Sequence, residues 1–414
     1  MIKGSNITVV SQFYWPEHVG IAPYSTRLAE HLAGQGAHVE VFTAMPHYPA
    51  WRIDSERYRG HLRVREERHG VAVNRMWHYI PQRQSALRRA GYEATLFAHA
   101  LARRSPPSDA VIGVIPSLSA GAIARTYARR QHCNYGIVVQ DLSGQAARQS
   151  GITSTGLVGT VTSGLERWVL SAATRVAVVA DAFRSHVEAA GVPASHVTLL
   201  RNWFEQDGQP RESSPTELSE LRRSLNWPDD EHIVLHAGNM GLKQGLEYVV
   251  DAAREAQARR LPLRFVLMGD GSQRPAIEER SAGLGNFQLL PNVPRHESDR
   301  IMSAADVLLV NERRTIVDMA LPSKLTSYFM AGRPVVAAVT PAGTTAQELR
   351  RADTGIVVEP ENPSALVDAV MKLVANPTLG KELAVRGTTY ATEELSAGRA
   401  LERAERFVEE LLSR

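Results

Sequence analysis

The chain of 414 residues is poor in cysteine, lysine and aromatic side chains. It has one cysteine, Cys133, five lysines (Lys3, Lys243, Lys324, Lys372 and Lys381), and only 6% aromatic residues. A single cysteine excludes an intramolecular disulfide and any cysteine-based zinc site, and it fits a reducing compartment. No apolar run approaches the roughly 18 residues that a membrane span needs. The opening residues, Met1 to Gln12, carry one lysine and a short β-branched run, not a charged segment followed by a long apolar stretch and a cleavage site. The expectation is a cytoplasmic protein, soluble or at most peripheral at the inner face of a membrane.

What is present is ordinary for a globular protein: 43% hydrophobic and 22% charged residues, with 30 glycines and 22 prolines. The length gives a prior of two or three domains. Net charge is +3, yet residues 1–205 hold 22 Lys+Arg against 14 Asp+Glu, and the remainder holds 25 against 30. Eleven of the 14 histidines also lie in the first half. This asymmetry separates two domains and turns the basic half towards an anionic partner, unless it is only a spread of surface arginines.

From Ile7 to Val10 a β-branched run leads into a loop with Pro16 and Gly20. Tyr24 to Ala33 then places Leu28, Ala29 and Leu32 on one helical face, and Val39 to Thr43 reads as the next strand. That βαβ unit calls for a parallel sheet with helices outside, and the rhythm continues to Leu200. The polar stretch 206–215 reads as a linker, after which a second βα series runs from Ile233 to Val358. The expected fold class is α/β: two doubly wound Rossmann-like domains, 1–205 and 216–396, facing each other across a cleft that takes the ligands. The segment 397–414 carries a helical apolar stripe that packs back onto one domain. Between Arg83 and Arg104, Leu87, Ala90, Ala94, Phe97 and Leu101 share a face with arginines at both ends, which suits either a helix packed on the sheet or one at a membrane interface. Glu166-Arg167 reads as a surface pair on a long apolar helix.

Three segments have phosphate-binding character. Pro16 to Gly20 sets a glycine just before a helix, where backbone N–H groups meet anions. His236-Ala-Gly-Asn-Met-Gly-Leu-Lys-Gln-Gly245 follows a strand and opens a helix, with Gly238, Gly241 and Gly245 beside Lys243. Leu321-Pro-Ser-Lys324 stands before the helix Leu325 to Met330, again with a cation and a hydroxyl at a helix start. Gly269 and Gly271 in Met268-Gly-Asp-Gly271 allow close approach by a ligand, or simply a tight turn. No nucleotide fingerprint, GxSxG elbow or spacing for a metal site occurs.

These residues reach a family. Phe13-Tyr-Trp-Pro-Glu-His-Val-Gly20, Leu28 to Val41 and Pro46-His-Tyr-Pro-Ala-Trp51 resemble glycosyltransferase family 4, nearest to its colanic acid biosynthesis type. So do Gly113-Val-Ile-Pro116, Gln140-Asp141, Arg201-Asn-Trp203, Gly238 to Glu247, Gly269-Asp-Gly271 and Leu321 to Leu325. The resemblance covers nearly the whole chain. It implies the GT-B architecture and a metal-independent, retaining transfer from a nucleoside-diphosphate sugar, a UDP-sugar being favoured, with no separate cofactor and no nucleic acid partner. The second domain would hold the donor and the first the acceptor, a sugar or glycolipid, polyprenyl-linked in the membrane-facing version, in polysaccharide or glycoconjugate assembly.

By the same resemblance Gly20 approaches the donor diphosphate across the cleft, while Gly238, Asn239, Lys243, Gln244, Gly245, Ser323 and Lys324 hold it. Gly269 and Gly271 line the donor site, and Asn292 and Val293 lie against the base. Two glutamates common in the family are replaced here by Met319 and Ser327, and Ser327 takes the donor-site place of the second glutamate, which usually holds the ribose. Its usual Arg and Lys of the glycine-rich loop align with Asn239 and Gln244, which shifts the clamp towards Lys324. The usual histidine aligns with Gln140, followed by Asp141, which either orients a sugar hydroxyl or caps the next turn. His18, His47 and Trp51 sit on loops after strands where an acceptor docks, or serve structure. The rival readings are a transferase acting on a small natural product, a nucleotide-sugar epimerase, and a non-catalytic nucleotide-sugar-binding scaffold.

Overall fold

A computed structural model describes residues 2–18, 20–81, 85–104, 106–142, 157–203, 214–317 and 323–413. The chain divides into two compact units: Met1–Asn202 with Ala400–Arg414, and Trp203–Arg399. The linker expected at 206–215 falls almost wholly outside the described residues.

In the first unit the strands are β1 (Asn6–Ser11), β2 (His38–Ala44), β3 (Arg63–Arg68), β4 (Val71–Met76), β5 (Ala110–Ile115), β6 (Asn134–Val139), β7 (Arg175–Val178) and β8 (Val197–Leu199). They form one sheet in the order β3-β4-β2-β1-β5-β6-β7-β8. All pairs are parallel except β3 with β4. β3, with sequence RVREER, escapes a hydrophobicity reading because it is a charged edge strand recruited by its neighbour. Chain order reverses between β1 and β5, which makes the region beyond their carboxyl ends the switch point where open α/β sheets generally take ligands.

The last helix, Ala397–Leu412, belongs to this first sheet. Its Ala404, Phe407, Val408 and Leu411 join Ile7, Val9, Ile112 and Val138 in one core. Gly136 on β6 makes room for it, since a Cβ there would stand 2.5 Å from the Phe407 ring. Asn134 Nδ2 donates to the Leu411 carbonyl at 2.9 Å, and His31 meets Glu405 at 2.6 Å. Burying the phenylalanine and leucine alone contributes about 1.5–3 kcal/mol each.

The second unit has β9 (His232–Ala237), β10 (Leu263–Met268), β11 (Phe287–Leu290), β12 (Val307–Asn311), β13 (Val335–Ala338) and β14 (Ile356–Val358). All are parallel, in the order β11-β10-β9-β12-β13-β14. Their near-continuous runs of Val, Leu and Ile reflect burial on both faces. The reversal here falls between β9 and β12. Glu166 departs from its expected place at the surface: it is buried, and its carboxylate meets His186 Nε2 at 3.2 Å. The helix carrying it, Leu157–Ser171, turns that position inward.

Candidate active site

In the second unit the loops after β9 and β10 are locked together. Gly238 N–H donates to the Met268 carbonyl at 2.8 Å and Met240 N–H to the Asp270 carbonyl at 2.8 Å; Gln273 N–H returns to the Met240 carbonyl at 2.9 Å. Gly269, at φ +140°, leaves no space for a side chain, because a Cβ would lie 2.0 Å from the Gly238 carbonyl oxygen. Gly271, at φ +154°, would press on the Met240 oxygen at 2.6 Å. The close approach these two glycines allow is therefore between loops.

The glycine-rich loop then turns through Leu242–Gln244. Its carbonyls are held from β12: Asn311 Nδ2 donates to the oxygens of Gln244 and Gly245 at 2.7 and 2.9 Å, and Arg313 Nε donates to that of Leu242 at 2.7 Å. Arg313 N–H takes the Lys243 carbonyl at 2.9 Å. The Gln244 amide oxygen accepts from Gly241 N–H at 3.1 Å, so that side chain braces its own loop. Gly245, at φ +54°, closes the turn ahead of the helix Glu247–Ala258.

Lys324 lies in the first turn of the helix Ser323–Met330, one step inside it and not before it. Its ammonium reaches 3.3 Å from His236 Nε2 and packs beside Gly238. Burial lowers its pKa to about 8, against the pull of the nearby Glu312 carboxylate. Glu312, at the end of β12, accepts from Thr345 Oγ1 at 2.9 Å, and burial raises its own pKa. One turn along the helix, the Tyr328 hydroxyl accepts from Ala237 N–H at 2.8 Å and reaches the Leu309 carbonyl at 3.2 Å. Tyr328 thereby stitches the helix to both strands at the crossover, and an i, i+4 spacing sets Lys324 on the same face. Asn292 is exposed beyond β11, and Val293 packs against the core. Ser327 is half-buried in the same helix; Met319 lies outside the described residues.

The first unit treats its crossover differently. Gly20, at φ +64°, and His18 are exposed in the loop after β1. Glu17 in that loop is buried, and its Oε1 accepts from the N–H groups of His47 and Tyr48 at 2.9 and 2.8 Å, fastening the loop after β2. His47 is buried with both ring nitrogens committed. Nδ1 donates to the Met45 carbonyl at 2.8 Å, leaving Nε2 to accept from Tyr92 OH at 2.7 Å. Burial lowers its pKa to about 4. The partly exposed Trp51, at φ +54°, stands edge-on to His47 and Tyr48. Gln140 is buried at the end of β6, where Asp141 Oδ1 accepts from Leu142 N–H at 2.8 Å.

Sequence reasoning did not single out His236, Glu312, Glu17 or Tyr92. The first and third stand inside quoted motifs, but only folding shows that they face a lysine and two backbone N–H groups. Among the described residues, no group of three or more His, Cys, Asp or Glu side chains is placed to hold a metal. No helix among them is long and apolar enough to cross a membrane.

Comparison with known proteins gives the family and the fold. Residues 19–203 match the model for the glycosyl transferase 4-like domain, and residues 218–393 match that for glycosyl transferases group 1. The putative colanic acid biosynthesis glycosyl transferase WcaI of Escherichia coli is 31% identical over 387 residues, covering 90% of this chain and 94% of that protein. Sucrose-phosphate synthase from Thermosynechococcus elongatus superposes with a TM-score of 0.69 at 18% identity, over 99% of both chains. Anabaena HepE in complex with UDP does so with a TM-score of 0.70 at 14% identity, over 99% of this chain and 100% of its own. Both likenesses are of fold. The chain belongs to the family 4-type glycosyltransferases of GT-B fold, with a 4-like first half and a group 1 second half.

Proposed function

We propose that this glycosyltransferase moves a sugar from a nucleoside-diphosphate sugar, a UDP-sugar in the first instance, to a hydroxyl acceptor, with retention of anomeric configuration, in polysaccharide or glycoconjugate assembly. The observation that carries the reading is Lys324. At the crossover of the second unit, a partly buried ammonium waits beside the glycine-rich loop with a neutral imidazole as its hydrogen-bond partner. A diphosphate would give the ammonium an anionic hydrogen-bond partner beyond the Glu312 carboxylate within electrostatic reach, and the same cation would stabilise the charge that grows on the leaving diphosphate. Gly238, Asn239, Lys243, Gly245 and Ser323 belong to that donor site in this reading; Gln244, Gly269 and Gly271 maintain its shape, and Asn292 and Val293 flank the base. The cation and helix starts carry the clamp without a metal.

The acceptor goes to the first unit, where His18, Trp51 and the Gln140-Asp141 pair stand at the strand ends and His47 supports Trp51 from below. In a retaining transfer the acceptor hydroxyl attacks on the face the diphosphate leaves, and a diphosphate oxygen takes its proton. The residues then supply position and charge more than a base. A lipid-linked acceptor and peripheral membrane contact are supported by the exposed Leu62, Trp77, Tyr79 and Leu87 beside Arg63 and Arg88.

Calorimetric titration with UDP-, GDP-, ADP- and dTDP-sugars tests the donor site. Selective binding weakened by Lys324→Ala is expected. Absence of binding to all four by the folded protein would sink the reading. The anomeric configuration of the product, read by NMR, decides between retention and inversion.

A further inference from the structure

A lysine near a helix start carries its charge on a flexible four-carbon stem, which ordinarily lifts the ammonium into water. Lys324 does otherwise. Its ammonium turns towards the floor of the glycine-rich loop, where it lies 3.3 Å from Nε2 of His236. His236 is wholly buried at the penultimate position of β9. Its Nδ1 is 3.2 Å from the Leu309 carbonyl of the neighbouring β12, and a carbonyl only accepts. Nδ1 therefore carries the proton, and the lone pair at Nε2 faces Lys324. The ring also has a backbone hydrogen bond with Asn239 that, like the one to Leu309, favours its protonated form, while burial and the Lys324 charge oppose it.

Resting on the reading of Lys324 as the diphosphate clamp, we propose that His236 is a positioning residue: a neutral imidazole, held in its Nδ1–H tautomer by the Leu309 carbonyl, that accepts one N–H of Lys324. This fixes the ammonium with its remaining donors directed at the donor diphosphate. The two strands that meet at the crossover each contribute, β9 the ring and β12 the carbonyl that sets the tautomer. Among the described residues, the titratable groups facing the ammonium are His236 from β9 and Glu312 just after β12, with Tyr328 one turn along its own helix. A protonated His236 would put two cations 3.3 Å apart, so the ring stays neutral, as its burial also dictates.

The test uses UDP as probe on the full chain. His236→Asn keeps a donor near the Leu309 carbonyl and removes the acceptor at the Nε2 place; His236→Gln reaches that place with its amide oxygen. Wild type, both variants and Lys324→Met are titrated between pH 7 and 9, with folding checked by thermal melting. Wild-type affinity is expected to fall as pH rises through about 8. His236→Asn is expected to bind UDP about tenfold more weakly at pH 7 with its pH midpoint moved lower, and His236→Gln to recover most of both. If His236→Asn binds as wild type does, with an unmoved midpoint, while Lys324→Met is weakened, the positioning role is overturned and the clamp stands. If Lys324→Met also binds as wild type does, the clamp itself falls. Equal weakening by Asn and Gln overturns the acceptor role as well. One arm needs no variant: nitrogen NMR of the wild-type imidazole should show a protonated Nδ1, and a protonated Nε2 overturns the proposal.

Discussion

The two crossovers of this molecule handle buried charge in opposite ways. In the first unit two buried charges are paired within the protein: Glu17 takes two backbone N–H groups, and Arg75, fully buried on β4, binds Glu66 and the Trp15 carbonyl. In the second unit Lys324 has, among the described residues, a neutral histidine as hydrogen-bond partner and a carboxylate within electrostatic reach. The Glu17 and Arg75 pairings form without ligand and fix the shapes of loops. The second unit keeps a cation desolvated at a cost that Glu312 offsets in part and that, on the proposed reading, a bound diphosphate offsets further. The same α/β topology thus yields a preformed frame at one crossover and a poised electrostatic site at the other.

Substitutions break this comparison in order of size. Gly269→Ala should have the largest effect, lowering stability in urea unfolding by about 3 kcal/mol and abolishing UDP binding, because the new methyl group collides with the Gly238 carbonyl. Lys324→Met should weaken UDP by about 10- to 100-fold in calorimetry while leaving the melting temperature equal or higher. The sign follows from linkage. Burial lowers the lysine pKa to about 8, so at neutral pH the fold bears the cost of a charged group, and wild-type stability rises between about pH 8 and the unfolded pKa. A fall in melting temperature comparable to that of Gly269→Ala would make Lys324 structural. Glu17→Ala should cost about 2 kcal/mol in stability by stranding two buried N–H groups, and Glu17→Gln clearly less, with UDP affinity unchanged in both. Weakened UDP binding in Glu17→Ala would erase the contrast between the units. Smallest of all, Trp51→Ala should raise the acceptor KM about threefold and leave donor affinity alone, as loss of one partly exposed ring implies.

Much of the fold was legible because both sheets are parallel and buried apart from the β3 edge, so their strands appear as apolar β-branched runs spaced by helices. β3 was not legible, since a charged edge strand has no such run and exists only through its antiparallel pairing with β4. Lys324 stood out in the sequence as one of few lysines within a motif. Its partner did not: a histidine inside a strand carries no sign of what lies on the neighbouring strand, and the Leu309 carbonyl that sets its tautomer is 73 residues away in the chain. Gly269 and Gly271 were legible as glycines needing space. That the space belongs to another loop is a property of the packing. His47 shows the reverse case, a histidine whose loop position suggests a ligand contact while burial commits both its nitrogens.

The scarcity of lysine makes the central claim directly observable, because a spectrum of isotope-labelled lysine side chains contains signals from only Lys3, Lys243, Lys324, Lys372 and Lys381. Lys324 can be assigned by its loss in Lys324→Met, and UDP can then be titrated into the wild-type protein. The account predicts that the Lys324 ammonium shifts furthest and gains protection, its pKa rising above about 8 once the diphosphate is bound. Saturation with UDP that leaves the Lys324 signal where it stood would contradict it.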